Sequence, residues 1–356
     1  MTDLAPRWRV PLLVLGFAGL IVGVLAGLWR LGWTMPAVAA GAPHGVLMMC
    51  AFFGTLISLE RAVAIGRRWA YLGPLAGGAA GLGLIAHADV RLVAAGFVVA
   101  GLLFLAASWV AQQRQALLHT RVLTLGALCW LVGVGVWAGS GEVAAAQWWW
   151  ISFLVVTIAG ERLELSRLMR ISPGMRTGFV AIVALLVLAT ALAAWPAGQR
   201  LYGAALVLLA AWLLRQDVAR RTVRTPGLTR YIAVCLLAGY LWLALGGVLL
   251  LGAPAPGTPG WDGALHAIVL GFVFSMVFGH APIILPAVLR AKLPYHWGFY
   301  VPLTGLHLTL AARVAGDLAG VFPLRAQGAL GNALSIGLFL LMQATTMLRA
   351  QRRTPT

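Results

Sequence analysis

The chain has 356 residues, of which 61% are hydrophobic and 10% charged, and a mean hydropathy of +0.92. That much apolar surface exceeds what a soluble core of this length can bury, so the composition excludes a soluble domain and indicates a polytopic membrane protein. The formal net charge of +17 is spread over short loops instead of an aromatic-interleaved patch, which argues for a lipid environment and against nucleic acid.

A helix crosses the hydrocarbon core with about 20 apolar residues. The first apolar run, from Val10 to about Trp33, is too long for a signal-peptide h-region and has no A-x-A-like site after it, so it reads as the first span. Eleven more follow, giving twelve spans at roughly 10–33, 43–64, 69–88, 91–112, 119–140, 146–165, 177–196, 199–215, 229–252, 263–287, 298–316 and 326–349. The expected fold is an all-α transmembrane bundle of about twelve helices in a single integral domain over residues 1–356. Cys50, Cys129 and Cys235 lie inside apolar spans at spacings that give neither a disulfide framework nor a C-x-x-C site, and they read as small buried hydrophobes.

Loop charge alternates along the chain. One side carries Arg7, Arg9, Arg67, Arg68, Arg114, Arg121, Arg167, Arg170 and Arg176, then Arg215, Arg220, Arg221, Arg224, Arg290, Lys292, Arg349, Arg352 and Arg353. The other side has isolated arginines only, at Arg30, Arg91, Arg200 and Arg325. The positive-inside rule then predicts a cytoplasmic location for both termini, in a bacterial inner membrane.

Spans 1, 5 and 9 begin near residues 10, 119 and 229, a period that divides the chain into 1–117, 118–228 and 229–356. Three four-helix arcs about a pseudo-threefold axis are the arrangement such a period suggests. The second spans of the first two groups end alike, "TLISLERAVAIGRR" against "TIAGERLELSRLMR", placing Glu60-Arg61 and Glu161-Arg162 at matching inner ends. Anchoring at the interface is the ordinary use of such pairs. In the third group His280 falls near that level, followed by Pro282 and Pro286.

Of seven histidines, His87, His119 and His296 lie at span ends or in loops, whereas His44, His266, His280 and His307 fall inside spans. An ionisable side chain there is costly and marks a functional candidate. His266 and His280 are 280 − 266 = 14 positions apart. In an unbroken α-helix that is close to four turns, so the rings would share one face about 21 Å apart along the axis. His44 opens a span running in the same direction, at the outer depth of His266, and His307 sits halfway along an antiparallel one. Two candidate pairs follow, His44 with His266 and His280 with His307. Facing neutral imidazoles would suit a hexacoordinate haem iron. Arg313 and Arg325, beside the last outer loop, would then pair with propionates or simply anchor the interface. Copper is the rival, because Met48 follows His44 by four residues and Met276 precedes His280 by four. Either thioether would equally serve as packing.

The twelve-span layout with "PHGVLMMCAFFGTL" and "LHAIVLGF" resembles the catalytic subunit of the haem-copper oxidases. The resemblance implies that His44 and His266 ligate a low-spin haem b whose propionates meet Arg313 and Arg325. The chain departs from that family in having no His in "QWWWISFLVVTIAGERLEL", no His-His pair in span 7 and no closely spaced second His in span 10, which argues against an oxygen-reducing binuclear centre. It is also similar to the NnrS-type membrane proteins, haem- and copper-containing and linked to nitric oxide stress, through "HAIVLGFVFSMVFGH". Two functions are therefore expected. One is a haem protein of electron transfer or small-gas response, supplied by quinol or a redox-protein partner since no C-x-x-C-H motif is present. The other is a transporter of a metal ion or small anion that uses the histidines, with Glu60, Glu161, Pro282 and Pro286 in gating elements.

Overall fold

The structure, a computed structural model, describes residues 3–165 and 171–352. Arg167, Arg170 and Arg353, among the cations expected on the inner side, lie outside the described residues. Twelve long helices are formed among the described residues: α1 (Pro6–Trp29), α2 (His44–Ile65), α3 (Leu72–Ile85), α4 (Val90–Arg114), α5 (Leu118–Ser140), α6 (Val143–Leu165), α7 (Pro173–Leu192), α8 (Pro196–Gln216), α9 (Leu228–Leu251), α10 (Pro259–Leu289), α11 (Tyr300–Ala319) and α12 (Phe322–Arg352). They coincide with the twelve expected spans. Ten are long and apolar enough to cross a bilayer. Of the other two, α3 has 14 residues after the tight turn Arg68–Tyr71, and α11 carries Arg313 and Asp317 among its 20. The chain is an all-α, membrane-embedded helical bundle.

Local chemistry sets the helix ends. Proline, which lacks the N–H that a first turn leaves unused, opens α1, α7, α8 and α10. Asp89 accepts from the Arg91 and Leu92 amides at the start of α4, and Thr258 accepts from Trp261 at the start of α10. Gly66 ends α2 in the left-handed region at φ 65°, a conformation that costs other residues a Cβ clash. Arg114, the last residue of α4, donates to the Ile65 carbonyl at 2.8 Å and satisfies one of the acceptors α2 leaves open. Buried Arg9 pairs with Asp3, which also accepts from the Tyr71 hydroxyl at 2.6 Å, so Arg9 belongs to the packed interior of its helix end and not to a solvated loop.

The chain forms two compact units, Met1–Gly160 and Glu161–Thr356, divided near the end of α6. In each, helices adjacent in sequence pack on one another. The apolar windows of α2, α6 and α10, the second helix of each group, are 72%, 72% and 61% buried, against at most 56% in the other seven crossing helices. Cys50, Cys129 and Cys235 are free and buried, as their apolar settings predicted. His119, in the first turn of α5, is only 3% exposed.

In the first unit glycines let backbones touch. A Cβ on Gly19 would stand 2.8 Å from that of Ala51, and one on Gly81 2.7 Å from the same atom, so α1 and α3 close on α2 from two sides. Trp130 of α5 lies over Gly54 and donates its indole N–H to the Met49 carbonyl at 3.1 Å. Trp130→Phe would leave that carbonyl without its side-chain donor, at a cost of about 1–3 kcal/mol. The expected result is a lower thermal midpoint in detergent. Gly54→Ala would also lower it, since its methyl would fall 2.3 Å from the indole. The double variant should lose less than the sum, because the smaller ring accommodates the methyl.

Candidate functional site

Two helices share an unusual construction. His44 opens α2, and Leu47–Gly54 just beyond it is a π-helix of eight residues. His266 ends the first two turns of α10, and Ala267–Phe274 immediately after it is again a π-helix of eight residues. All sixteen π-helical residues are buried. Wide turns of this kind recur at functional sites, because the i→i+5 ladder shifts the phase of the helix and re-aims its side chains. The sequence offered no sign of them: a stretch apolar on every face has no periodicity to shift.

The two rings are also held alike. His44 Nδ1 lies 2.6 Å from the Gly23 carbonyl of α1, with Gly27 giving the ring its room: a Cβ there would be 3.0 Å from the imidazole. His266 Nδ1 lies 2.8 Å from the Asp262 carbonyl one turn earlier and 3.4 Å from that residue's carboxylate. A carbonyl only accepts, so in both rings Nδ1 carries a proton, and a neutral ring has its lone pair on Nε2. Metal-ligating histidines are oriented in this way, by a second-sphere acceptor on the far nitrogen.

Around His266 the second unit assembles a charged cluster. Asp262 accepts from Arg313 of α11 at 2.8 Å and pairs with Arg325 of α12 at 3.1 Å, while Arg325 also pairs with buried Asp317 at 2.9 Å. Close backbone contact makes this convergence possible. A Cβ on Gly316 would be 2.5 Å from the Arg325 amide nitrogen, and one on Gly328 2.6 Å from that of Arg313. Two guanidiniums thus meet two carboxylates, and the charges balance. Asp262 and Asp317 were not singled out in the sequence. Their signal was available: they are acids inside or beside spans, facing the two arginines that had been noticed.

The other two intramembrane histidines take different hydrogen-bond partners. His280 donates from Nδ1 to the Met276 carbonyl at 2.7 Å, and its Nε2 accepts from Arg162 of α6 at 2.7 Å. His307 receives the Trp242 indole N–H on Nδ1 at 2.9 Å, which puts its own proton on Nε2. Neither therefore presents a free lone pair at Nε2. The π-helix between His266 and His280 also removes the shared face expected of an unbroken α-helix, since it delays the rotation. His266 turns to α11 and α12, and His280 to Arg162. Met48 and Met276 fill notches opened by Gly23 and Gly239. Among the described residues no cluster of three or more His, Cys, Asp or Glu could hold a metal ion.

The sequence matches one known family over residues 9–348. The chain belongs to the DUF8744 family, a domain of unknown function. No curated protein and no solved structure matches it. The family match covers both histidine-headed helices and the whole charged cluster.

A double-mutant cycle on Asp262→Asn and Arg313→Gln, read by thermal or chemical unfolding in detergent, should return a coupling energy of about 1–2 kcal/mol. Partial exposure of both side chains keeps it below that of a fully buried pair. Additive losses would show that the contact contributes nothing of its own.

Proposed function

We propose that the protein is a membrane-embedded haem b protein of one-electron transfer or of the response to nitric oxide or another small gas, with His44 and His266 as axial ligands. The observation that carries this reading is the matched holding of the two rings: each stands next to a buried π-helix, and each has its Nδ1 proton on a backbone carbonyl. Bound haem would supply a reversible one-electron couple. The chain's part is to fix the two tautomers, through Gly23 and Asp262, and to enclose the ligands among buried π-helical residues.

The imidazoles fit such a group, but the arginines fit a different task from the one the oxidase resemblance implied. Arg313 and Arg325 already face Asp262 and Asp317, so a propionate would have to displace a protein carboxylate. They serve better to fix Asp262 beside His266. Copper at the inner pair is left out of the proposal, because Arg162 occupies the lone pair of His280. The proposal places the chain in a bacterial inner membrane with both termini cytoplasmic, taking electrons from quinol or a redox protein.

The test is a dithionite-reduced minus oxidised spectrum of protein purified from haem-sufficient cells. A sharp b-type α-band is expected, and His44→Ala and His266→Ala should each abolish it. Asp262→Asn should leave the band in place but shift its midpoint potential. A featureless spectrum from folded protein would sink the assignment and turn attention to transport of a metal ion or small anion.

A further inference from the structure

Arg162 is 3% exposed, and its single hydrogen-bond partner among the described residues is the neutral imidazole of His280, which cannot balance its charge. Its Nε–H is buried with no partner. No carboxylate pairs with it among the described residues, and the residues outside the description contain no acidic side chain. Glu161 and Glu164 flank it in the sequence and have interactions of their own, and the further acid linked to it through Tyr240 is Asp217, which is spoken for: Oδ1 accepts from the Ala219 amide at 2.7 Å and Oδ2 from the Tyr240 hydroxyl at 2.6 Å. Tyr240 is within electrostatic reach of Arg162 and hydrogen-bonded to Asp217. A buried guanidinium whose side-chain hydrogen bond goes only to a neutral ring, with an N–H left over, is a costly arrangement.

We propose that Arg162 and His280 form the floor of a binding site for a small planar oxyanion, of the carboxylate or nitrate type, that enters from the inner face. A guanidinium offers parallel N–H donors that match two oxygens of such a group. His280 fixes one side of the fork by accepting from Nη2, and its own proton is held by Met276, so it cannot turn to repel or replace the ligand. The approach is electrostatically favourable. Exposed Arg215, Arg220, Arg221, Arg224, Arg290 and Lys292 lie in the loops at this end of the second unit, and their field concentrates anions there. The site is separate from the ligand pair proposed above, so its test does not depend on haem.

The experiment uses the full-length chain in nanodiscs of zwitterionic lipid and follows the thermal midpoint against sodium formate, sodium nitrate and sodium chloride at constant ionic strength. Formate and nitrate should raise the midpoint saturably, and chloride should do so at least tenfold more weakly. Arg162→Lys, which keeps the charge and loses the fork, should weaken the formate response at least tenfold. Arg162→Gln should abolish it, and His280→Gln, which retains an acceptor for Arg162, should preserve most of it. The proposal fails if none of the anions shifts the wild-type midpoint, or if Arg162→Lys responds like wild type. It fails also if stabilisation comes only from anionic lipid added to the discs, which would make the anion a headgroup phosphate. The haem spectrum of Arg162→Lys should be unchanged, so failure here leaves the proposed ligand pair standing.

Discussion

A histidine enclosed in a bilayer keeps a defined tautomer only if a fixed acceptor takes one of its protons, and the functional reading of this chain rests on that constraint. Gly23, Asp262 and Met276 offer backbone carbonyls to the Nδ1 atoms of His44, His266 and His280. The Trp242 indole does the reverse to His307. Four rings with similar positions in the sequence pattern thereby become chemically different. His44 and His266 hold their Nδ1 proton on a carbonyl, His280 also accepts from Arg162 at Nε2, and His307 keeps a buried N–H on Nε2. In water any of these rings would exchange tautomers freely; in the bundle the partner decides.

Those hydrogen bonds depend on how closely the helices approach, and glycine sets the approach. Without a driving force between apolar helices in lipid, contact comes from packing, and small residues give it. Gly27 makes room for the His44 ring, and Gly271 does the same for Trp242: a Cβ there would stand 2.4 Å from the indole. Gly316 and Gly328 lock α11 against α12 so tightly that Arg313 and Arg325 reach the same carboxylate. The glycine content looks like generic membrane composition until the contacts are seen. Its consequence is to place three charged side chains around one histidine.

The fold was legible in the sequence because bilayer thickness leaves few alternatives for long apolar stretches, and twelve such stretches became twelve helices. The four intramembrane histidines were legible too, since an ionisable group in lipid stands out against its neighbours. Their partners were not. Arg162 and His280 are 118 positions apart, and Asp262 and Arg313 are 51 apart. No local pattern connects such pairs. The face argument for His266 and His280 assumed 100° per residue throughout. It broke at Ala267–Phe274, where a π-helix among uniformly apolar residues leaves no trace in hydrophobic periodicity.

The two ends of α10 solve the problem of charge in a membrane differently. At His266, two arginines are matched by Asp262 and Asp317, and the ring sits beside a cluster whose formal charges cancel. Such a cluster orients a side chain without drawing an outside ion, since adding one would unbalance it. At His280 the nearby cation meets a neutral ring, and Asp217 is already satisfied by Tyr240 and Ala219. There the buried guanidinium keeps an N–H to spare. One helix thus joins an electrically closed site that holds its histidine still to an open one that gains by taking up an anion. Evenly distributed polar groups serving only as helix anchors would have no reason to differ in this way.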